Sequence, residues 1–333
     1  MTRHCMRAWL VALLSLGPAS GEAQTYLLVV SGIGGEAQYR ASFDEWSTTL
    51  LTAAQDRLKL PADHIVYLCE DPDVVAGSRK STKANLDAAV MEIASRAEPD
   101  ALVVIVFIGH GSAVGGSARI NLPGPDVSAE DIAALLTRFP TQQLVVANLA
   151  SASGDFLPVL SGSRRTIITA TRSGRERYET VFASFFVRAF ASDGADTDKN
   201  ERVSVLEAFE FARREVNRHY DTGNRLVTEH ALLDDNGDSK GSTEPDPRTG
   251  DGAIAASLFL DNPLAAAVAT LPDDPELRAL YQARQRLEQA IATLRARKDE
   301  LAPDIYESEL ERLALELART SRTIRERETR NPE

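Results

Sequence analysis

The chain has 333 residues, and its 37 Lys and Arg residues stand against 49 Asp and Glu residues, which gives a net charge of −12. This acidic balance argues against a nucleic-acid-binding protein, which needs a basic surface to displace phosphate counterions. No run of basic residues lies beside an apolar span, so the sequence gives no support for a membrane-surface role. The length leaves room for one large α/β domain and a smaller element.

The first 23 residues have the features of an export signal. Arg3 and Arg7 give a positive start, residues 8–16 form a short apolar run, and small residues lead to a cleavage position after Ala23. The apolar run is too short to remain as a membrane-spanning helix. We therefore expect a periplasmic or secreted protein that has no membrane span once this signal peptide, residues 1–23, has been removed.

From residue 26 onward, short apolar runs alternate with longer amphipathic stretches. The apolar runs suit strands that are buried on both faces, and they lie at 26–31, 65–69, 101–109, 144–150 and 166–171. The stretches between them predict helices at 43–58, 83–97, 129–139, 181–191 and 205–218. This alternation predicts an α/β fold with a mostly parallel, six-stranded sheet and helices on both faces.

The later part of this domain is expected to be irregular before a final strand. Residues 221–251 are rich in Gly, Asp, Asn, Pro and Ser and read as a long loop, after which residues 253–260 are expected to return as the last strand. Earlier in the chain, Ser128 with Asp131 three residues later predicts a capped helix start. The predicted α/β domain covers residues 24–262.

After residue 262 the composition shifts to Leu, Ala, Arg and Glu. Apolar residues recur at steps of three and four, and Pro303 interrupts the pattern before it resumes. This spacing predicts a helical hairpin or a coiled-coil arm over residues 263–333. We expect the arm to serve packing or self-association, and the alternative is a dedicated helix that docks a protein partner.

Two of the predicted strands end in small residues beside chemically active side chains. The run at 103–108 is followed by Gly109-His110-Gly111-Ser112, and the run at 144–150 is followed by Ser151-Ala152-Ser153-Gly154. In a parallel sheet, ligand and catalytic groups gather outside the carboxyl ends of the strands. Small residues at such a position allow the backbone of a substrate to approach closely. The sequence therefore predicts a cleft at this edge of the sheet.

These segments resemble those of the legumain and caspase superfamily of cysteine peptidases. In that superfamily one hydrophobic strand ends in His-Gly and a second ends in Ala-Cys-x-Ser-Gly, whereas this chain has His110-Gly111 and Ala150-Ser151-Ala152-Ser153-Gly154. The opening Val29-Val30-Ser31-Gly32 with Tyr39-Arg40 is most similar to legumain, as is Ile168-Thr169-Ala170-Thr171 with Ser173-Gly174. The resemblance covers residues 26–260 and implies a caspase-like fold.

The resemblance also implies roles for the residues at the two strand ends. His110 would polarise the substrate, and the Gly111 amide would help to bind the oxyanion. Ser151 stands at the position of the nucleophilic cysteine. A thiol has a useful thiolate fraction at neutral pH, whereas an alcohol needs a base in direct contact. Because the histidine of this superfamily is not tightly hydrogen-bonded to the nucleophile, the resemblance implies that Ser151 is poorly activated.

Other positions depart from the family pattern as well. The asparagine that orients the histidine in legumain is replaced within Gly32-Ile33-Gly34-Gly35, and Ala152 stands where legumain has an acid in its pocket. Arg40 matches the arginine of the primary specificity pocket and would favour an acidic or carboxylate-bearing ligand. We therefore expect a non-catalytic or very weak peptidase homologue that binds a peptide or protein segment in its cleft.

Three alternatives remain open from the sequence. One is an active peptide hydrolase that uses the His110 and Ser151 pair. Another is that Ser151 is an engineered change in a parent cysteine peptidase. The third is a calcium-stabilised scaffold whose strand ends do not function as a peptide cleft.

A second signal is an EF-hand-like loop at residues 196–207. Side-chain oxygens fall at positions one, three, five, nine and twelve of this loop, which are Asp196, Asp198, Asn200, Ser204 and Glu207. Arg202 at position seven would contribute its carbonyl, and Glu201 stands where glycine normally makes the sharp turn. The loop predicts a structural calcium site, and the alternative is an acidic, well-capped helix start.

A weaker oxygen cluster follows at Asp234, Asn236 and Asp238. These residues have Asp-x-Asn-x-Asp spacing, but position twelve holds Pro245 instead of glutamate. The cluster predicts a second calcium site, and the alternative is a plain polar turn. An extracytoplasmic location would supply enough calcium even for sites of modest affinity.

Overall fold

The structure is a computed structural model that describes residues 24–73, 75–114, 117–261, 274–296 and 302–328. The predicted signal peptide, residues 1–23, lies outside the described residues. Seven strands form the main sheet: β1 (Thr25–Ser31), β2 (Ile65–Cys69), β3 (Arg79–Lys80), β4 (Leu102–Ile108), β8 (Gln143–Asn148), β9 (Arg165–Thr169) and β10 (Leu232–Asp234). A second, antiparallel sheet contains β5 (Gly111–Val114), β6 (Ser117–Ile120) and β7 (Val127–Ser128).

The strand order of the main sheet is β10-β9-β8-β4-β1-β2-β3. Every neighbouring pair is parallel except β9 with β10, which is antiparallel. All seven residues of β1 and all seven of β4 are buried, because helices cover the sheet on both faces. The chain therefore has the mostly parallel α/β architecture that the alternation of strands and helices predicts.

Helices α1 (Ala37–Thr52), α5 (Phe182–Ala191) and α6 (Val205–Thr222) pack on one face of the sheet. Helices α2 (Lys83–Arg96), α3 (Ala129–Leu136) and the short α4 (Leu157–Leu160) pack on the other face. Successive strand residues alternate between these two cores, as Leu27 and Val29 face the first and Leu28 and Val30 the second. None of the helices in the described part of the chain is long and apolar enough to cross a membrane.

Most of the predicted elements in residues 24–222 are confirmed. The five apolar runs are β1, β2, β4, β8 and β9, and each predicted helix is present. Ser128 caps α3 as predicted, since its Oγ accepts from the Asp131 amide at 3.2 Å while its own amide donates to the Asp131 carboxylate at 3.1 Å. Helix α1 begins at Ala37, before the predicted start at 43. The sequence prediction missed its first turns because they are largely exposed and lack an apolar period.

The prediction of a final strand at 253–260 is wrong. That segment contains a 3₁₀ turn, Ala255–Ser257, and a single antiparallel bridge from Phe259 to Ser204. The strand that completes the sheet is instead β10, within the stretch predicted to be a loop. With β10 and the two-residue β3, the main sheet has seven strands and not six. Strands of two or three residues are too short for a periodic signal in the sequence.

The C-terminal region contains α7 (Pro275–Ala296) and α8 (Pro303–Glu328), which pack against each other. Near the end of α8, Arg327 donates to the Asp274 carboxylate at 2.9 Å, and this carboxylate also accepts the Glu276 amide at the start of α7 at 2.9 Å. The end of one helix thus meets the start of the other, so the pair is antiparallel. Pro303, which interrupts the apolar pattern, is the first residue of α8, where its missing N–H has no consequence.

Candidate functional site

The candidate site lies at the carboxyl ends of β4 and β8, which are adjacent and parallel. Their register places Phe107 beside Asn148, so the residues that follow both strands emerge at the same edge of the sheet. There the Gly111 amide donates to Ser151 Oγ at 3.2 Å, and Ser151 Oγ lies 3.4 Å from the Gly111 carbonyl oxygen. The structure thus brings together the two strand ends that the sequence analysis singled out.

Gly111 is required by this close approach. A Cβ atom at residue 111 would lie 2.2 Å from the Ser151 carbonyl oxygen and 3.2 Å from that of Arg119. Both atoms belong to backbone, so neither could move aside as a flexible side chain could. Gly111 also begins β5, and the small antiparallel sheet therefore forms one wall of the site.

His110 is held by packing on helix α1. Its ring meets Tyr39 edge-on at 4.8 Å between centroids and Phe43 at 5.1 Å. In the described part of the chain no hydrogen bond joins the His110 ring to Ser151, whose hydroxyl is bonded only to the Gly111 backbone. The Ser151 residue is also 3% exposed. Among the described residues, no base is therefore hydrogen-bonded to the serine hydroxyl, and the serine has little access to solvent.

The residues after Ser151 connect β8 to the end of β9. Ser153 Oγ accepts from the Ala170 amide at 3.0 Å and the Thr171 amide at 3.2 Å, and the Gly154 amide donates to Thr171 Oγ1 at 3.0 Å. Ser153 and Gly154 thus serve to bind the segment after β8 to the segment after β9. Ala152 between them and Ser151 has a left-handed backbone (φ 53°), which disfavours any residue with a Cβ.

Arg40 forms a two-pronged ion pair with Glu70, which follows β2. Its Nε lies 3.1 Å from Glu70 Oε2 and its Nη2 lies 3.3 Å from Oε1, and the Gly34 amide also donates to Oε2 at 3.0 Å. Burial acts to raise the pKa of Glu70, but the hydrogen bonds from Gly34 and Arg40 outweigh it and lower the pKa below its ordinary value. The positive charge of Arg40 is therefore already balanced within the protein.

A histidine–carboxylate pair lies beside the site and was not found from the sequence. His230 Nδ1 lies 2.7 Å from Glu176 Oε1, and the Glu176 carbonyl accepts from the Ala152 amide at 2.8 Å. The two residues are 54 positions apart and show no metal-ligand spacing, so only the fold brings them together. Their hydrogen bonds fix the segment after β9 against the backbone next to Ser151.

A shallow groove of about 770 Å³ runs along another part of helix α1 and does not include the residues of the candidate site. Its walls contain the acidic residues Asp44, Glu45 and Asp56 together with Arg57. Burial, and then the negative charge of Glu70, raise the pKa of Asp44 above its ordinary value. His110, the Ser151 hydroxyl and the Gly111 amide lie at the strand-end site and not in this groove.

The predicted EF-hand-like loop lies between α5 and α6, and its acidic side chains converge. One carboxylate oxygen each from Asp196, Asp198 and Glu207 lie within 4.8 Å of one another. Within the described residues, no Lys or Arg forms an ion pair with these three carboxylates. Arg202, the arginine of the loop, is bound instead to Asp261 through two contacts of 2.8 Å. The loop is therefore a concentration of negative charge without a counterion.

The backbone of this loop is arranged around its own side chains. Asp196 accepts from the Glu201 amide at 2.9 Å, Asn200 Oδ1 accepts from the Arg202 amide at 2.8 Å, and Glu207 accepts from the Thr197 amide at 2.9 Å. Burial acts to raise the pKa of Glu207, but hydrogen bonds from Ser204 and Thr197 outweigh it and lower the pKa. The Ser204 amide and hydroxyl both bind Glu207 Oε2 at 2.9 Å, which also makes this pair the cap of α6.

The second oxygen cluster begins at the last residue of β10. Asp234 is fully buried, whereas Asn236 and Asp238 are exposed in the turn that follows. The loop packs against the turn before β9, since the Ser239 amide donates to Ser161 Oγ at 3.1 Å. Next to Asp234, Asp235 accepts three backbone amides from residues 252–255, the shortest contact being 2.8 Å from the Ala255 amide.

Comparison of the chain with protein-family models and with curated proteins finds no match in either set. The function of the site therefore has to be inferred from its own residues and contacts. These comprise a buried serine bound to a glycine backbone, a histidine packed on aromatic rings, and an acidic loop at a separate position in the fold.

Glu201 offers a test of the loop geometry that needs no metal. Its φ of 67° is left-handed, and its side chain is exposed, so Glu201→Gly should relieve backbone strain without removing a buried group. We expect the free energy of unfolding in chelator to rise by about 1 kcal/mol in a urea titration. Glu201→Ala is the control, because it removes the same carboxylate but keeps the strain. Equal stability of the two variants would contradict a strained, left-handed backbone at residue 201.

Proposed function

We propose that this chain is a legumain- and caspase-like peptidase homologue that binds a peptide or protein segment at the strand ends and cleaves it weakly or not at all. The observation that carries the proposal is the hydrogen bonding of Ser151. Its hydroxyl is bound to the Gly111 amide at 3.2 Å, and no hydrogen bond in the described part of the chain joins it to His110. An alcohol becomes a nucleophile only when a positioned base removes its proton.

The position of the hydroxyl has a second consequence for catalysis. In an acyl-transfer mechanism the Gly111 amide would bind the oxyanion, but here the same amide donates to Ser151 Oγ. The hydroxyl therefore occupies the donor that the transition state would need. A substituted site of this kind can still bind a peptide, since binding depends on the cleft and not on the proton transfer.

The fold supports the family assignment in its general layout. His110, Gly111 and Ser151 follow adjacent parallel strands whose carboxyl ends share one edge, as the resemblance implies. Arg40 and Glu70 lie at the ends of neighbouring elements on that edge, beyond β1 and β2. Because Arg40 is paired with Glu70, an acidic ligand side chain would have to replace Glu70 as its partner.

We also propose that the loop at 196–207 binds calcium as a structural ion. Three carboxylates within 4.8 Å, an asparagine, a serine and the Arg202 carbonyl provide the all-oxygen ligand set that Ca²⁺ takes with six to eight ligands. Lys199 and Glu201, at positions four and six, have left-handed φ values of 58° and 67°, as the tight turn of such a loop requires. The ion would offset the charge repulsion between the start of α6 and the end of the preceding segment.

The cleft chemistry is tested by substitution at residue 151. Wild type and Ser151→Ala should show the same low cleavage of a diverse peptide library. Ser151→Cys should raise the rate by about tenfold or more, since a thiol ionises near neutral pH without a base in contact. The control is His110→Ala in the Ser151→Cys background, which should remove the gain because the resemblance gives His110 the separate role of polarising the substrate. Loss of measurable cleavage in Ser151→Ala would show instead that the chain is a serine hydrolase.

The binding role is tested at the Arg40–Glu70 pair. Glu70→Gln removes the carboxylate that neutralises Arg40. Peptides with Asp or Glu side chains should therefore bind this variant more tightly than they bind the wild type. Fluorescence anisotropy with matched acidic and amide-bearing peptides measures this change. Adding Arg40→Gln should abolish the gain. An unchanged preference for acidic over amide-bearing peptides in Glu70→Gln would mean that Arg40 does not contact the ligand.

Calcium binding at the first loop is tested by thermal unfolding. The melting temperature should rise when Ca²⁺ replaces chelator, because an ion that binds only the folded state adds about 2.7 kcal/mol at a 100-fold excess over Kd. Asp196→Asn should reduce this rise. The matched control is Asp193→Asn, which changes an exposed acid just before the loop. Asp193 pairs with Arg57, and the variant should keep the rise in melting temperature. A rise that Asp196→Asn leaves unchanged would place the ion elsewhere.

A further inference from the structure

The turn after β10 repeats the backbone of the loop at 196–207. Counting Asp234 as position one, Gly237 at position four and Ser239 at position six have left-handed φ values of 76° and 66°. The same two positions are left-handed in the first loop, at Lys199 and Glu201. The two sequences differ at these positions, so the shared conformation follows from the turn itself and not from shared residues.

The side-chain hydrogen bonds of the two loops also correspond. Asn236 Oδ1 at position three accepts from the Asp238 amide at 2.8 Å, and Asp238 Oδ1 at position five accepts from the Lys240 amide at 2.8 Å. In the first loop, Asp198 at position three likewise accepts from the amide of position five at 3.1 Å. Polar turns adopt such bonds without an ion, so this correspondence alone does not identify a binding site.

The observation that points to a ligand is the carboxylate of Asp234. The residue is 0% exposed, and its Oδ1 accepts from the Gly237 amide at 3.0 Å, which turns the carboxylate toward the loop. The other oxygen, Oδ2, is buried and has no hydrogen-bond partner among the described residues. A buried carboxylate oxygen without a donor or a cation is strongly destabilising, and native proteins rarely keep one.

The neighbouring acids do not solve this problem for Asp234. Asp235 is 3% exposed and Asp251 is 6% exposed, and both are satisfied by backbone amides, including the Asp235 amide that donates to Asp251 at 3.2 Å. None of the three carboxylates forms an ion pair with Lys, Arg or His within the described ranges. The end of β10 therefore concentrates buried negative charge, and Asp234 Oδ2 is the atom left without a partner.

We propose that the loop beginning at Asp234 is a second binding site for a divalent cation, with Asp234 Oδ2 as its buried ligand. The side chains of Asn236 and Asp238 and the carbonyl of Lys240 would supply further oxygens, a ligand set suited to a hard cation such as Ca²⁺. Position twelve is Pro245, so the site has fewer protein ligands than the first loop and binds more weakly. This site goes beyond the proposed function, because it involves neither the cleft nor the first loop.

Counting bound ions tests the proposal. Isothermal titration with CaCl₂ is carried out on chelator-treated full-length protein in the Asp196→Asn background, where the first loop is disabled. We expect one remaining ion, bound at least about tenfold more weakly than the ion that Asp196→Asn removes. Adding Asp234→Asn should abolish it. Adding Asp246→Asn, an acid outside the loop that pairs with Arg248, should not.

Two results of the titration would overturn the proposal. One is the absence of Ca²⁺ binding at millimolar concentration in folded Asp196→Asn protein, and the other is binding that Asp234→Asn leaves unchanged. Asp238→Asn serves if Asp234→Asn does not fold, because Asp238 is exposed, and it should weaken binding by about tenfold. Thermal unfolding adds a second readout: Asp234→Asn should lower the melting temperature only when Ca²⁺ is present. An increase with or without Ca²⁺ would show that Asp234 is merely an uncompensated buried acid.

Discussion

The candidate site depends on one close approach of two backbones, where Gly111 lies against Ser151. The parallel pairing of β4 and β8 fixes this approach, because its register makes both strands end at the same edge of the sheet and side by side. Even one methyl group on residue 111 would lie 2.2 Å from the Ser151 carbonyl oxygen. Since the Gly111 amide and the Ser151 hydroxyl then lie within hydrogen-bond distance, the same approach that assembles the site also gives the serine its partner.

The site and the acidic loops occupy opposite ends of the sheet. Helix α5 begins near the cleft, where Thr180 Oγ1 donates to the Leu149 carbonyl at 3.0 Å, and it runs back to the loop at 196–207. The antiparallel β10 ends beside Ile167, near the start of β9, so the Asp234 loop lies at that far end too. The segment at 251–261 contacts both loops, through Asp251 to Asp235 and through Asp261 to Arg202. A cation at either loop would therefore stiffen the base of the domain and not the cleft.

The sequence predicts the buried frame of the protein well. Strands β1 and β4 are apolar along their whole length because helices cover both sides, and Ser128 with Asp131 marks a helix start by local spacing alone. The sequence does not predict β10 or the pairing of Arg40 with Glu70. The first is too short for a pattern, and the second joins residues 30 positions apart on different elements. The pair matters because it changes Arg40 from a free positive charge into a neutralised one.

The two outermost strands of the main sheet are also its shortest. On one side β3 contains only Arg79 and Lys80, and on the other β10 contains three residues and ends in a buried aspartate. Unpaired edges invite strand addition from another molecule when they are long, flat and apolar, whereas short edges that carry charge discourage it. Within the described residues the sheet is thus a poor template for intermolecular β pairing. In a mostly parallel sheet that is buried on both faces, short edge strands thus leave the helices, rather than the strands, to face other molecules.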